Sequence, residues 1–311
     1  MAEIIYRVAK RDGYDNLNHP LIDSIILGVR WADLEPMRGK FTTTELLATI
    51  HTWQSAGKNV YVKFIAYGNA EDGLITPEWV YNLLPRISAE AGLGSVSIPY
   101  LLAPRYRRAL FPAIVNTLRS LGADGYLISC GHNGSLAATP DRKLGNALIA
   151  AGWRNNEWIF HCRRVIDELL PLVNLFSTAA FTMLRDGTDN YLPTMEQAVD
   201  LVADYSLVIT LGLESRNEDM PLTVARVNRL KNGRYPIALG DDWPLWVPIE
   251  RRDQKPTLNR DDADFAQSLV RARELDATKL LIQSPEADAS RPDHSGFVPA
   301  VHEALDQFRS S

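Results

Sequence analysis

The sequence predicts an α/β protein, a single (βα)8 TIM barrel over residues 1–311. Three observations predict it. Apolar, strand-like runs recur along the whole chain. Amphipathic, helix-like segments separate most of them. The runs are continuously apolar rather than alternating, as in parallel strands covered by helices on their outer side. Eight such units in 311 residues suit that barrel. A doubly wound open sheet is the alternative. It normally carries a glycine-rich phosphate turn after its first strand, and "YRVAKRDGYDN" has none.

The first run is "IIYRV" (Ile4–Val8), and the connection from Ala9 to Asp23 carries no clear helix. "SIILGVRW" (Ser24–Trp31) comes second. It is followed by "TTTELLATIHTWQSAGK", which has helical apolar spacing, a threonine cap, and Gly57 where the helix should stop. The third run is "NVYVKFIAY" (Asn59–Tyr67). "APRYRRALFPAIVNTLRSLG", ending on Gly122, leads into the fourth, "GYLISCG" (Gly125–Gly131). The remaining strands are "NLFSTAAFTML" (Asn174–Leu184), "SLVITLGLE" (Ser206–Glu214), "YPIALGD" (Tyr235–Asp241) and "TKLLIQSPE" (Thr278–Glu286). "MEQAVDLVADY", "LTVARVNRLKNG", "DDADFAQSLVRARELD" and "VPAVHEALDQF" read as their helices.

Composition narrows the function. A hydrophobic fraction of 46% with 23% charged residues is ordinary for a soluble globular chain. A net charge of -5 gives no basic footprint for nucleic acid. Cys130 and Cys162 make neither a disulfide framework nor a zinc spacing. "MAEIIYRVAKRDG" lacks the apolar stretch of a secretory signal, and no run is long enough for a membrane span. The default reading is a soluble protein of a reducing compartment, cytoplasmic or of unknown location, with no membrane or nucleic-acid partner; a constituent of a larger particle that exports itself without a signal is the open alternative.

In this barrel, active sites lie at the C-terminal ends of the strands. Those ends collect Trp31, Asp33 and Glu35; Tyr67 with Asn69, Glu71 and Asp72; Cys130, His132, Asn133 and Ser135; Arg185 and Asp186; Glu214 and Arg216; Asp241, Asp242, Trp243 and Trp246; and Gln283 and Glu286. The ring is rich in carboxylates and aromatics and poor in lysine. Aromatic faces stack on sugar C–H surfaces, carboxylates and amides bind hydroxyls, and paired carboxylates hydrolyse glycosides. Any barrel rim offers some acids, so the set of Trp31, Asp241, Asp242, Trp243 and Trp246 carries the argument rather than any single residue. Cys130 and His132 are two apart on one strand end, yet no oriented base or oxyanion hole accompanies them. A buried structural cysteine is the plainer reading. No local loop supplies a set of metal ligands, so neither metal nor cofactor is expected. The long stretch from Trp243 to Arg260 is placed to cover the site.

"VRWADLEPMRGKFTTTELLATIHTWQSAGKNVYVKFIA" resembles the second and third strands of clan-A glycoside hydrolases, especially the β-galactosidase-like barrels. These carry W-x-x-L-E-P-x-x-G-x-[YF] before a helix. "TPEWV" (Thr76–Val80) resembles the T-P-x-W-[LV] segment after their third strand, and "APRYRRALFPAIVNTLRSLGADGYLISCGHNGS" resembles the helix and fourth strand that follow. The similarity covers Ile25 to Ser135. It implies carboxylate-based cleavage of a carbohydrate. Asp241 or Asp242 would be nucleophile or base, and Glu214 or a residue near His132 the acid. Trp31, Tyr67, His132, Asn133, Ser135, Trp243, Trp246 and Glu286 would contact the sugar. In the family the fourth strand ends in an acid/base glutamate; here Ser135 stands in its place. A serine hydroxyl titrates too far from neutrality to protonate a leaving alkoxide. A barrel that binds glycan without cleaving it, or serves as a structural part, is therefore the second reading. Glu35, Pro36 and Gly39 read as shaping the strand-to-helix turn.

Overall fold

The computed structural model describes residues 3–8, 17–69, 74–91, 94–128, 147, 150–152, 154, 157, 173–177, 208–211, 237–240, 279–283, 306, 307, 309 and 310. Its strands are β1 (Glu3–Val8), β2 (Ser24–Arg30), β3 (Asn59–Ile65), β4 (Gly68–Asn69), β5 (Arg86–Ala91), β6 (Gly94–Pro99), β7 (Gly125–Ile128), β8 (Val173–Ser177), β9 (Val208–Leu211), β10 (Ile237–Gly240) and β11 (Lys279–Gln283). Its helices are α1 (Trp31–Leu34), α2 (Thr44–Ser55), α3 (Glu78–Tyr81) and α4 (Phe111–Arg119). Eight strands close a barrel in the order β1-β11-β10-β9-β8-β7-β3-β2, and β1 and β2 pair in parallel with Ile5 opposite Ser24. The fold is the (βα)8 barrel, and each of the eight expected runs overlaps one of its strands, β1 and β8 each beginning one residue earlier than expected. The C-terminal ends of β2 and β3 also differ from expectation. Trp31 opens α1 instead of closing β2, and β3 stops at Ile65, two residues short of Tyr67.

The chain divides into two compact units whose boundaries fall inside β2, α2 and β3 and immediately before β9. The first comprises Met1–Leu27, Thr52–Val60 and Val208–Ser311. It holds the parallel ladder β9-β10-β11-β1 and the first half of β2. Asp23 organises the strand starts here. Its carboxylate accepts from the Ile4 amide at 2.9 Å and from Arg309 at 2.7 Å. Its own amide donates to the Ile4 carbonyl, and its carbonyl accepts from the Asn59 amide. Arg309 reaches the Pro20 carbonyl at 3.0 Å with its other nitrogen, and the Lys58 ammonium donates to the carbonyls of His19 and Ile22. The end of α2 closes as the sequence suggests. Gly57 takes φ 78°, its amide donates to the Gln54 carbonyl, and the Lys58 amide donates to Trp53, which is the paired bonding of a Schellman motif.

The second unit comprises Gly28–His51 and Tyr61–Leu207. In α4, Phe111, Ile114, Val115 and Leu118 are buried at helical spacing. A π-helical turn, Tyr106–Leu110, precedes it. Pro112 has no amide hydrogen to give and crowds the carbonyl four residues back, which the wider turn accommodates. The sequence reading did not find the three-stranded antiparallel sheet β4-β6-β5 inserted between β3 and α4. Its hairpin pairs Arg86 with Pro99 and Ala91 with Gly94. Arg86 lies 3.7 Å from the centre of the Tyr81 ring and bonds Glu78, and the Tyr81 hydroxyl donates to the Ser97 carbonyl.

Two measurements check these packing arguments. Asp23→Ala should lower unfolding stability by about 2 kcal/mol, the worth of two charge-assisted hydrogen bonds partly replaced by water. Asp23→Asn, which keeps one acceptor for Ile4, should lose less; equal losses in denaturant titration count against the ion pair. Tyr126 on β7 is buried, and its hydroxyl donates to the Leu118 carbonyl. Burial pushes its pKa up to about 12. The folded protein therefore keeps a proton that the unfolded chain releases near pH 10, so this contribution is intact below about pH 10 and lost as pH rises toward 12. Tyr126→Phe should show a shallower loss of stability between pH 10 and 12 than the natural protein.

Candidate functional site

Strand parity decides which side chains face which way. In β3 and β7, Tyr61 pairs with Gly125, Val62 with Tyr126 and Lys63 with Leu127. Tyr126 reaches the Leu118 carbonyl on α4, so Val62 and Tyr126 lie on the helix side. Phe64 continues that side, and its ring centre is 6.1 Å from that of Trp31. Tyr61, Lys63 and Ile65 take the other face, which in a helix-wrapped barrel is the inner one. Gly28 of β2 belongs to it as well, because a Cβ there would stand 3.1 Å from Ile65 Cδ1. Arg30, two residues on, follows by alternation.

Trp31 therefore packs on the helix side, with no exposed surface. Its ring centre lies 6.1 Å from Trp79 in an edge-on arrangement and 5.9 Å from Tyr106. Its indole N–H donates to Glu35 Oε2 at 3.0 Å, and Glu35 Oε1 accepts from the Gly39 amide at 2.7 Å. The Glu35 carbonyl accepts from the Trp79 indole at 3.1 Å, and the Ala32 amide donates to the Ile75 carbonyl at 2.7 Å. Thr76 Oγ1 then donates to the Ala66 carbonyl. The W-x-x-L-E-P-x-x-G stretch and the T-P-x-W stretch are thus two halves of one buried knot. Gly39 takes φ 71°, which the bend requires. The turn-shaping part expected of Glu35 is what its bonds perform.

Asp33 forks onto Arg30 at 2.7 and 3.0 Å. Tyr67, just past β3, is buried at 1% exposure. Trp31 and Tyr67 are the expected site residues that the structure describes. Asp241, Asp242, Glu214, His132, Asn133, Ser135, Trp243, Trp246 and Glu286 lie outside the described residues, as does the stretch Trp243 to Arg260. Among the described residues no group of three or more His, Cys, Asp and Glu side chains is placed to hold a metal ion, and no helix is long and apolar enough to cross a membrane. The sequence reading overlooked Lys63, 1% exposed and facing inward near the C-terminal end of β3. Its signal is plain in retrospect: one cation inside "NVYVKFIAY", since lysine is almost never fully buried unless paired.

No family model and no curated protein matches the chain. Solved structures do match. The catalytic domain of β-amylase from Paenibacillus polymyxa is 9% identical at a TM-score of 0.65, with 98% of this chain and 97% of that one covered. A cold-adapted β-galactosidase from Rahnella sp. R3 is 13% identical at 0.59, covering 100% of this chain and 56% of the other. An exo-β-1,4-mannosidase from Opitutaceae bacterium strain TAV5 is 13% identical at 0.56, covering 99% and 59%. This chain thus spans little more than half of the latter two. The likeness is one of fold: the described chain shares the barrel of these proteins.

Glu35→Gln should uncouple the knot. A carboxamide can still accept one of the two bonds, but it leaves its NH2 facing a donor. A loss of about 1–3 kcal/mol in stability follows, with a changed fluorescence spectrum from Trp31 and Trp79. Unaltered stability and emission would show that the bend holds without the carboxylate.

Proposed function

We propose that this barrel is a glycoside hydrolase-like protein that takes a carbohydrate at the C-terminal ends of its strands and acts on it with carboxylates. One observation carries the reading most directly. Asp241 and Asp242 follow β10 immediately in the chain, and Trp243 and Trp246 come next. A carboxylate at a strand end is where this fold keeps its chemistry, and an adjacent indole offers a flat apolar face to a sugar ring. The likeness of fold to sugar-cleaving enzymes supports the same reading.

The proposed roles follow from what the bond needs. An aspartate at 241 or 242 serves as nucleophile or base, and Glu214, three residues past β9, donates the proton to the leaving oxygen. A retaining pair needs its carboxyl groups about 5 Å apart, and an inverting pair wider. His132, Asn133, Ser135, Trp243, Trp246 and Glu286 supply hydroxyl partners and stacking faces, and Tyr67, 1% exposed, supports them from beneath. Trp31, wholly covered by its neighbours, serves this set by fixing the turn at the end of β2.

Ser135 favours a second reading, in which the barrel binds glycan without cleaving it. The two separate in a single series. If the acid has been lost at this position, the natural protein should be slow on glycosides with poor leaving groups, and Ser135→Glu should raise the rate, general acid help being worth on the order of 10² to 10⁴. Asp241→Asn or Asp242→Asn should abolish most turnover of an activated aryl glycoside while sparing sugar binding. Brisk natural turnover points to Glu214 as the acid. Binding without turnover in both natural protein and Ser135→Glu establishes the binding reading, and no binding at all rejects the carbohydrate.

A further inference from the structure

The turn that leads into β2 encloses a histidine for which the carbohydrate reading has no use. The Ile22 amide donates to the His19 carbonyl at 3.3 Å, which closes a β-turn over His19–Ile22. Pro20 stands at its second position, where a fixed φ suits the turn. His19, Leu21 and Ile22 are buried. The Leu21 amide donates to His19 Nδ1 at 3.2 Å. The imidazole thus does what an asparagine side chain does when it accepts from the amide two residues on. A ring nitrogen that accepts an N–H carries no proton, so the closed turn requires His19 with Nδ1 bare.

The carbonyls of the same turn are already held by cations. The Lys58 ammonium donates to His19 at 2.8 Å and to Ile22 at 2.6 Å. Arg309 donates to Pro20 at 3.0 Å and to the Asp23 carboxylate at 2.7 Å. Among the described residues the charged groups bonded to the turn and to the residue after it are therefore Lys58, Arg309 and Asp23. Further positive charge is disfavoured here: burial above all holds the Lys58 pKa below the usual lysine value, against the pull of Asp23 and with help from Arg309. A proton on His19 Nδ1 acts twice. It sets a donor against the Leu21 amide, and it charges the residue whose carbonyl Lys58 already holds.

We propose that His19 is a pH-sensitive latch: uncharged, it closes the turn on which Lys58 and Arg309 converge, and on protonation it opens that turn and releases the segment carrying Arg309. The latch is independent of the carbohydrate reading. The unfolded chain takes up this proton near pH 6.5, and the closed turn takes it up only at lower pH. The contribution of the latch to stability is therefore whole above about pH 6.5 and is lost as the pH falls below that value.

His19→Asn keeps an acceptor for the amide two residues on and cannot titrate. Thermal unfolding of the natural protein and the variant is followed from pH 8 to pH 5. The two Tm curves should run parallel above about pH 7 and diverge below about pH 6.5, the natural protein losing about 2 °C or more relative to the variant by pH 5.5. Curves that stay parallel overturn the latch, and so does a natural protein that gains on the variant in acid. Hydrogen exchange reads the release. At pH 5.5 the amides around Arg309 should exchange about tenfold faster in the natural protein than in His19→Asn, and at pH 7.5 equally fast. Equal rates at both pH values overturn the release. If His19→Asn does not fold, nitrogen-15 resonances of the His19 ring decide in the natural protein. A ring that titrates below pH 6.5, with Nδ1 bare at neutral pH, supports the latch. Titration at or above that value, or a proton on Nδ1 at neutral pH, refutes it.

Discussion

The buried carboxylate of Glu35 is the constraint on which the second unit depends. It is 3% exposed, and its two oxygens hold an indole and a backbone amide four residues away on either side, at Trp31 and Gly39. A desolvated carboxylate without those donors would destabilise the fold. With them it converts the exit from β2 into a fixed bend. The bend sets where α2 starts, because the Thr42 amide returns to the Leu34 carbonyl. It also anchors α3, because the Trp79 indole closes on the carbonyl of the same glutamate. Pro77 lies at the N-cap of that helix, in extended conformation, so the direction of entry is restricted as well.

The described charges divide by strand end. At the N-terminal ends Asp23, Lys58 and Arg309 saturate loop carbonyls and amides, an arrangement suited to holding strands in place. At the C-terminal ends of β2 and β3 the charged side chains are Arg30, with its fork to Asp33, and the enclosed Lys63. On the same face Gly28 and Ile65 stand side by side, a Cβ at Gly28 meeting Ile65 Cδ1 at 3.1 Å. The Arg30–Asp33 pair keeps 41% and 26% of its side-chain surfaces exposed, so solvent screens it.

How far the sequence revealed this depended on the range of the interaction. The eight barrel strands were legible because continuous burial leaves a continuous apolar run. The stop of α2 was legible because Gly57 must take positive φ. The hairpin of β5 and β6 was missed although Arg86–Ala91 and Gly94–Pro99 alternate polar and apolar residues around a glycine-containing break; its strands are short and lie in a stretch already read as a connection. The site was harder. Trp31 looked like a residue facing a ligand because it ends an apolar run, but one step of parity separates it from Arg30, and only register to β7 fixes which of the two looks inward. Lys63 was hidden by the opposite effect, since a single lysine in a strand is read as an edge or rim residue. The residues after β7, β9, β10 and β11 that the sequence nominates remain nominated by chain position.

The closing of the barrel has a consequence for synthesis. β1 is hydrogen-bonded to β2 on one side and to β11 on the other. The first partner leaves the ribosome shortly after β1. The second follows roughly 270 residues later, on the order of tens of seconds at ordinary translation rates. For that interval the outer edge of Glu3–Val8, a strand with Ile4, Ile5 and Val8 in its buried set, has unpaired backbone donors and acceptors. A nascent chain in this state is open to strand pairing with its neighbours on a polysome.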